Sequence, residues 1–165
     1  MKTALSVEII PFENRYTVEF KRLNLEWLKK YFRVEPADEE MFSNPQQILD
    51  YGGDLFLARI GQVIVGTCAL IHEGHSHFEL SKMSVTAKYQ GHGIGRKLLA
   101  AALDAFRKRE GKKLHLETNT VLANAIALYE SVGFVHAKPP KPSAVERTNV
   151  YMLYSPDEMG LKGKR

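Results

Sequence analysis

Apolar and polar positions alternate along this chain in two rhythms, one near two residues and one near 3.6, and the switches between them divide it into elements. ALSVEIIPF reads as a first strand that ends before Glu13 and Asn14. RYTVEFKRLNLEWLKKYF then sets Val18, Leu23, Leu25, Leu28 and Phe32 at near-helical spacing between charges. RVEPADEEMFSNP is acidic and carries two prolines, so it predicts a loop; Ser43 or Asn44 before Pro45 starts a short helix through Leu49, closed by Gly52 and Gly53. DLFLARI and QVIVGTCALI are apolar runs joined at Gly61-Gln62, a tight antiparallel hairpin, and HEGHSH turns the chain again.

FELSKMSV contains an irregularity. Phe78 and Leu80 alternate on even positions, whereas Met83 and Val85 continue on odd ones. One face stays buried across that switch only if an extra residue is accommodated, which predicts a β-bulge near Ser81 and Lys82. Beyond the glycine-rich QGHGIGR, the residues Ile94, Leu98, Leu99, Ala102, Leu103 and Phe106 form an amphipathic stripe, with Gly111 suited to its C-terminal cap. KLHLETN is a short strand, VLANAIALYESV a helix closed by Gly133, and FVHAK and VERTNVYMLYS are strands joined through PPKPS. Strand-helix-strand units demand parallel pairing and hairpins demand antiparallel pairing. The fold class expected is therefore α/β, with a mixed central sheet and helices on both faces.

The totals narrow the function. At 165 residues the chain suits one domain, expected over residues 1–158 with a basic flexible tail at 159–165. No apolar run approaches a membrane span, and MKTALSVEII lacks the form of a secretory signal, so a cytoplasmic location and no membrane partner are expected. The net charge of +4 is small and partly held by Lys162, Lys164 and Arg165, which argues against nucleic acid. Cys68 is the single cysteine and reads as a buried core residue. His72, His75 and His77 crowd one hairpin with one carboxylate beside them, which reads as a solvated turn, so no metal is expected.

QGHGIGR, residues 90 to 96, poses the central question. Gly91, Gly93 and Gly95 let backbone amides turn toward a ligand at the positive end of a helix, a natural place for a diphosphate. Arg96 in the first helical turn opposes the helix dipole, which makes sense with an anion between them. The spacing matches neither GxxxxGK nor GxGxxG, so ATP and NAD are poorly supported.

SKMSVTAKYQGHGIGRKLL resembles the acetyl-CoA motif of the GNAT superfamily of N-acetyltransferases, in which Gln or Arg is followed after two residues by Gly, one residue, and Gly or Ala. Here those positions are Gln90, Gly93 and Gly95. NAIALYESVGF is similar to the helix that follows in that family, with Asn124, Tyr129 and the exit at Gly133-Phe134. The likeness implies a sheet splayed between FELSKMSV and KLHLETN, with the pantetheine arm of acetyl-CoA, a co-substrate, lying in the V. It also implies backbone contacts from Met83 and Val85, with the Val85 amide donating to the thioester oxygen, and a pyrophosphate cradle from Gln90, Gly91, His92, Gly93, Ile94, Gly95 and Arg96. Asn124 would touch the pantetheine, and Tyr129 would protonate the departing thiolate.

An alkylammonium with a pKa of about 10.4 must lose its proton before it attacks, which calls for a base. Glu79 is the first candidate, directly or through water, and Glu117 the second. Tyr31, Glu79 and Asn119 are read as substrate-binding residues. Trp27, Phe32, Glu35 and Asp38 add aromatic and acidic character, Glu39 and Glu40 read as solvated, and Arg22, Arg33 and Arg147 leave room for an acceptor with a carboxylate. The function expected is acetyl transfer to the primary amine of a small molecule by direct attack in a ternary complex. A protein or peptide amine acetyltransferase and a catalytically silent acyl-CoA-binding module are the alternatives. Family likeness also implies a homodimer through the terminal strands.

Overall fold

The computed structural model describes residues 5–157. Glu158 and the expected tail at 159–165 lie outside the described residues. Seven strands, β1 (Glu8–Pro11), β2 (Asp54–Ile60), β3 (Val63–His72), β4 (His77–Val85), β5 (Lys113–Thr118), β6 (Phe134–His136) and β7 (Val150–Tyr154), join in one sheet in the order β1-β2-β3-β4-β5-β7-β6. Every neighbouring pair is antiparallel except β4 and β5, whose parallel pairing follows from the helical crossover between them. The helices are α1 (Thr17–Tyr31), α2 (Pro36–Ser43), α3 (Gln46–Asp50), α4 (Ile94–Lys108) and α5 (Ala123–Val132). The mixed sheet is the one the sequence predicts, and so is the order of elements apart from α2. Among the described residues no helix is long and apolar enough to cross a membrane.

The sheet is covered on both faces, and each face has its own core. Against one face α4 and α5 pack Leu98, Leu99, Ala102, Phe106 and Tyr129 onto Cys68, Leu70, Leu80 and Leu116. Against the other, α1 to α3 pack Phe20, Leu23, Leu28, Phe42 and Ile48 onto Leu55, Leu57 and Ala69. Burying one such side chain contributes roughly 2 kcal/mol. All six apolar residues expected on the α4 stripe are buried. So is Cys68, whose thiol burial pushes well up, which suits the inert reading.

Three local expectations need correction. The acidic stretch expected to be a loop contains α2: Pro36 occupies the start of the helix, where its missing N–H is no loss, and the Glu35 and Asp38 side chains cap each other's backbone N–H in a capping box. The buried face of α1 is rotated from the expected stripe. Phe20, Leu23, Asn24 and Leu28 are buried, whereas Val18 is 76% exposed and Phe32 lies past the helix end. At the end of α4 the left-handed residue is Glu110, with φ of 54°, and not Gly111. Gly111 is needed for another reason, since a Cβ there would run into the Phe106 ring.

The bulge lies where the phase slip puts it. Between the pairs Thr67↔Ser84 and Ala69↔Ser81, β4 advances three residues while β3 advances two. Lys82 absorbs the excess with a left-handed φ of 54°. As a result Met83 and Val85 pack on the same core as Phe78 and Leu80. The β4–β5 pairing runs from His77↔Lys113 to Leu80↔Leu116 and stops there, although both strands continue. Beyond that point the two strands diverge.

Candidate active site

The divergence opens a cleft of about 730 Å³ that contacts both β4 beyond Leu80 and β5 beyond Leu116. Strand backbone without a partner strand has N–H and C=O groups to satisfy, so such a gap suits an extended ligand that pairs with main chain. Met83, Val85, Gln90, Gly91, Gly93, Ile94, Gly95, Arg96, Asn124 and Tyr129 all line it, together with Tyr31, Glu79, Glu117 and Asn119. Of the expected site residues His92 alone falls outside the lining; it is exposed on the loop.

At one end of the cleft the chain turns through Gly91 and Gly93, with φ of 82° and 77°, and a Cβ at either position would meet nothing within 4 Å. The glycines are there for conformation, and the space they leave is open to a ligand. No side chain caps the N-terminus of α4, so its first-turn amides have no side-chain partner. Gly95 differs from the other two: it already has helical backbone, and its missing Cβ admits Leu128 of α5 at 3.3 Å. Gln90 turns its side chain inward, where Nε2 donates to the Val85 carbonyl at 2.9 Å and ties the loop to the end of β4. Arg96 and Asn124 are exposed at the rim.

Tyr129 is buried on α5 against Phe134, and burial raises its phenol above the ordinary value. It therefore keeps its proton throughout the neutral range.

The opposite end of the cleft is built from α1, the two diverging strands and the segment between β6 and β7. Trp27, Tyr31 and Phe32 form an aromatic wall, with Tyr31 42% exposed at the mouth. Arg147 faces them, stacked over Trp27 at 5.7 Å, and binds Asp38 with both branches of its guanidinium at 2.7 and 2.8 Å and Glu35 at 2.9 Å. Lys82 Nζ, from the bulge, lies 3.5 Å from the same Asp38. Burial of Asp38 opposes its ionisation, but Arg147, the Glu35 N–H and Lys82 outweigh that and hold its carboxyl below the ordinary value. Burial likewise lowers the Lys82 amine, and Asp38 only partly offsets it.

This arrangement revises the expected role of the arginines. Arg147 is engaged by two carboxylates, Arg33 pairs with Glu146, and Arg22 donates to the Ile64 carbonyl. Asn119 is also committed: its Nδ2 donates to the Arg147 carbonyl at 2.6 Å and its Oδ1 accepts from the Val121 N–H. It lines the cleft as the anchor of the segment that carries Arg147. Sequence reasoning gave no signal for the Arg147–Asp38 pair, whose members are 109 residues apart. The capping box at Glu35 and Asp38 was readable, however, and it would have placed both acids on one helix end.

Glu79 and Glu117 enter the cleft from adjacent strands. Glu79 pairs in register with His115, and burial raises its carboxyl above the ordinary value, with Glu73 and Glu117 adding to the rise. It does not pair with Lys82, which belongs to Asp38. Glu117 accepts a hydrogen bond from the Ser143 hydroxyl at 2.9 Å. The three histidines of the HEGHSH hairpin do not converge; His72 Nδ1 lies 3.0 Å from the Tyr51 carbonyl, and His75 and His77 are exposed.

The profile of the Acetyltransferase (GNAT) family matches residues 22–134. The chain belongs to that family. It is 31% identical over 137 residues, covering 83% of each chain, to the [ribosomal protein bS18]-alanine N-acetyltransferase of Escherichia coli K12. A GNAT-family acetyltransferase of Staphylococcus aureus Mu50 superposes with a TM-score of 0.84 at 24% identity, covering 92% of this chain and 99% of the other. YncA of Salmonella typhimurium, a putative acetyltransferase solved with its cofactor acetyl-CoA, superposes with a TM-score of 0.73 at 16% identity over 92% and 95%. The enzyme is thus an acetyl-CoA-dependent N-acetyltransferase, with acetyl-CoA as co-substrate. Its own residues fit that ligand: the open glycine turn and uncapped start of α4 suit a pyrophosphate, and the unpaired ends of β4 and β5 suit an amide-bearing arm.

Proposed function

We propose that the enzyme acetylates the α-amino group of a protein N-terminus. The observation that carries this reading is the likeness over 83% of both chains to an enzyme named for alanine of a ribosomal protein. The charge of the acceptor end adds support. A free amino acid brings a carboxylate, yet Glu79 and Glu117 line that end, and the cations there are engaged: Arg147 by Glu35 and Asp38, and Lys82 by Asp38. A peptide N-terminus brings the same amine without that carboxylate. Its amine is also easier to deprotonate, with a pKa of about 7.7 to 8.0 against about 10.4 for lysine. A small amine without a carboxylate is the second reading, favoured by the aromatic wall of Trp27, Tyr31 and Phe32.

Acetyl-CoA supplies an acyl carbon activated as a thioester. Amides from Gln90 to Arg96 hold the pyrophosphate, Met83 and Val85 present backbone to the pantetheine arm, and Asn124 meets it from α5. The Val85 N–H donates to the acyl oxygen, which stabilises charge that develops there. Glu79 accepts the proton of the incoming amine; its raised carboxyl binds a proton more readily than an ordinary glutamate does. Tyr129 Oη, held in the phenol form, gives its proton to the departing sulfur and takes one back from solvent.

The test is thiol release from acetyl-CoA with peptides beginning in Ala, free alanine and small polyamines, for the wild type and Tyr129→Phe. The Ala peptides should be the fastest acceptors, and Tyr129→Phe should lower kcat about 100-fold while leaving acetyl-CoA binding intact. Polyamines outrunning every peptide would favour the second reading. Tight acetyl-CoA binding with no release, or full activity in Tyr129→Phe, would remove the mechanism.

A further inference from the structure

One cluster of ionisable side chains lies just outside the cleft, and neither acetyl-CoA nor the acceptor wall accounts for it. His115 sits on β5 directly beside Glu79, one register pair before the strands part. Its Nε2 lies 2.6 Å from Glu73 Oε1 and 4.0 Å from Glu79 Oε2. The ring is stacked on Tyr151 at 5.3 Å, and its other nitrogen, Nδ1, is buried without a hydrogen-bond partner. Exposure is lowest in the middle of the row: Glu79 is 25%, His115 14% and Glu73 39% exposed, so the outer end, on the β3–β4 turn, is the most open to solvent. Glu79 lines the cleft, whereas His115 and Glu73 do not.

We propose that Glu79, His115 and Glu73 form a proton exit from the acceptor end of the cleft to the protein surface. The inference rests on Glu79 as the group that takes the amine's proton. His115 Nε2 then accepts that proton from Glu79, across a gap that a side-chain rotation or one water closes, and passes it to Glu73 Oε1. Glu73 releases it to bulk water. One proton enters, one leaves, and each group returns to its starting form. All of the transfer takes place at Nε2, because Nδ1 faces the interior. Neutral His115 with a proton on Nδ1 is the accepting form, so the exit works once His115 has lost its resting proton.

The groups around the imidazole set where that happens. Burial disfavours the imidazolium, but Glu73, Glu79 and Glu117 together outweigh burial and raise its pKa. Lys82 on β4 lies near Glu79, His77 and Lys141 lie near Glu73, and Tyr151 of β7 faces the ring as a neutral phenol. The rate should therefore rise with pH through the raised His115 pKa.

The experiment measures kcat and KM against pH for the wild type, Glu79→Gln, His115→Gln and Glu73→Gln, using an Ala-initiated peptide or the fastest amine of the panel above. Histidine proton shifts are followed by NMR without substrate. His115→Gln should lower kcat about 10-fold with both KM values unchanged, and added imidazole should restore part of the rate. Glu73→Gln should move the NMR titration of His115 to lower pH, because it removes the nearest carboxylate, and the ascending limb of kcat should move with it; a merely structural pair would move the NMR titration and leave the kcat profile in place. If Glu79→Gln keeps wild-type kcat, the base reading fails and the exit with it. If Glu79→Gln loses activity while His115→Gln keeps the wild-type rate and pH profile, the exit alone is overturned. A rate abolished by EDTA and restored by a divalent cation would also overturn it, in favour of a bound cation between these donors. Should His115→Gln unfold, His115→Asn takes its place, and the kcat–pH profile of Glu73→Gln stands independently.

Discussion

Asp38 illustrates how one residue can serve fold and site together. It is 2% exposed, yet it caps the first turn of α2, receives both branches of Arg147 and lies against Lys82 of the bulge. Removing one member of a buried charge group leaves the others desolvated and unpaired, which is why such losses exceed the net value of the pair. Asp38→Asn should lower the unfolding free energy by about 3 kcal/mol in urea denaturation and should also raise the acceptor KM, since Arg147 forms part of that wall. The sequence placed Asp38 only among the acids of the acceptor end, in a stretch expected to be a loop, and did not assign it this duty. Glu79 was legible for the opposite reason: it stands out of phase with Phe78 and Leu80, so its side chain had to leave their core.

Among the elements, α4 and the bulge of β4 carry most of the co-substrate site. The helix was readable over its whole buried face, because an unbroken stripe of six apolar residues fixes that face. Its end was not. Glu110 occupies the left-handed position, and a residue with a Cβ is disfavoured there by roughly 1 to 2 kcal/mol. Glu110→Gly should raise stability by about 1 kcal/mol, seen as a higher Tm with unchanged kcat. The bulge was readable as a two-residue rhythm that changes face. Helix α1 was less so, since its aromatic and aliphatic residues occupy enough positions for two stripes to compete; contact with Phe42 and the sheet selects Phe20 over Val18.

For the whole molecule, the ionisable groups oppose one another across the pH scale. Asp38 and Glu73 have depressed pKa values, the latter chiefly through its hydrogen bond with His115. A carboxylate of that kind adds stability above its unfolded pKa, near 4, and the stability is lost as pH falls through the folded value. His115 is raised, so its contribution is full below about 6.5 and is lost as pH rises through its folded pKa. Chemical denaturation should therefore show stability falling steeply below pH 4, with a shallower slope in Asp38→Asn; an unchanged slope in that variant would contradict the role given to Asp38.

The sequence by itself determined the element order apart from α2, the mixed sheet, the glycine turn before α4 and the change of face in β4, because each is written in residues next to one another. Periodicity and turn chemistry are local, and they survive without knowledge of the rest of the chain. Only the tertiary structure decided that Arg147 closes on Asp38 and Glu35, that Asn119 anchors the Arg147 segment, and that His115 stands between Glu79 and Glu73. Those partners come from different elements, up to 112 residues apart, and only the strand order and the point where β4 leaves β5 bring them together.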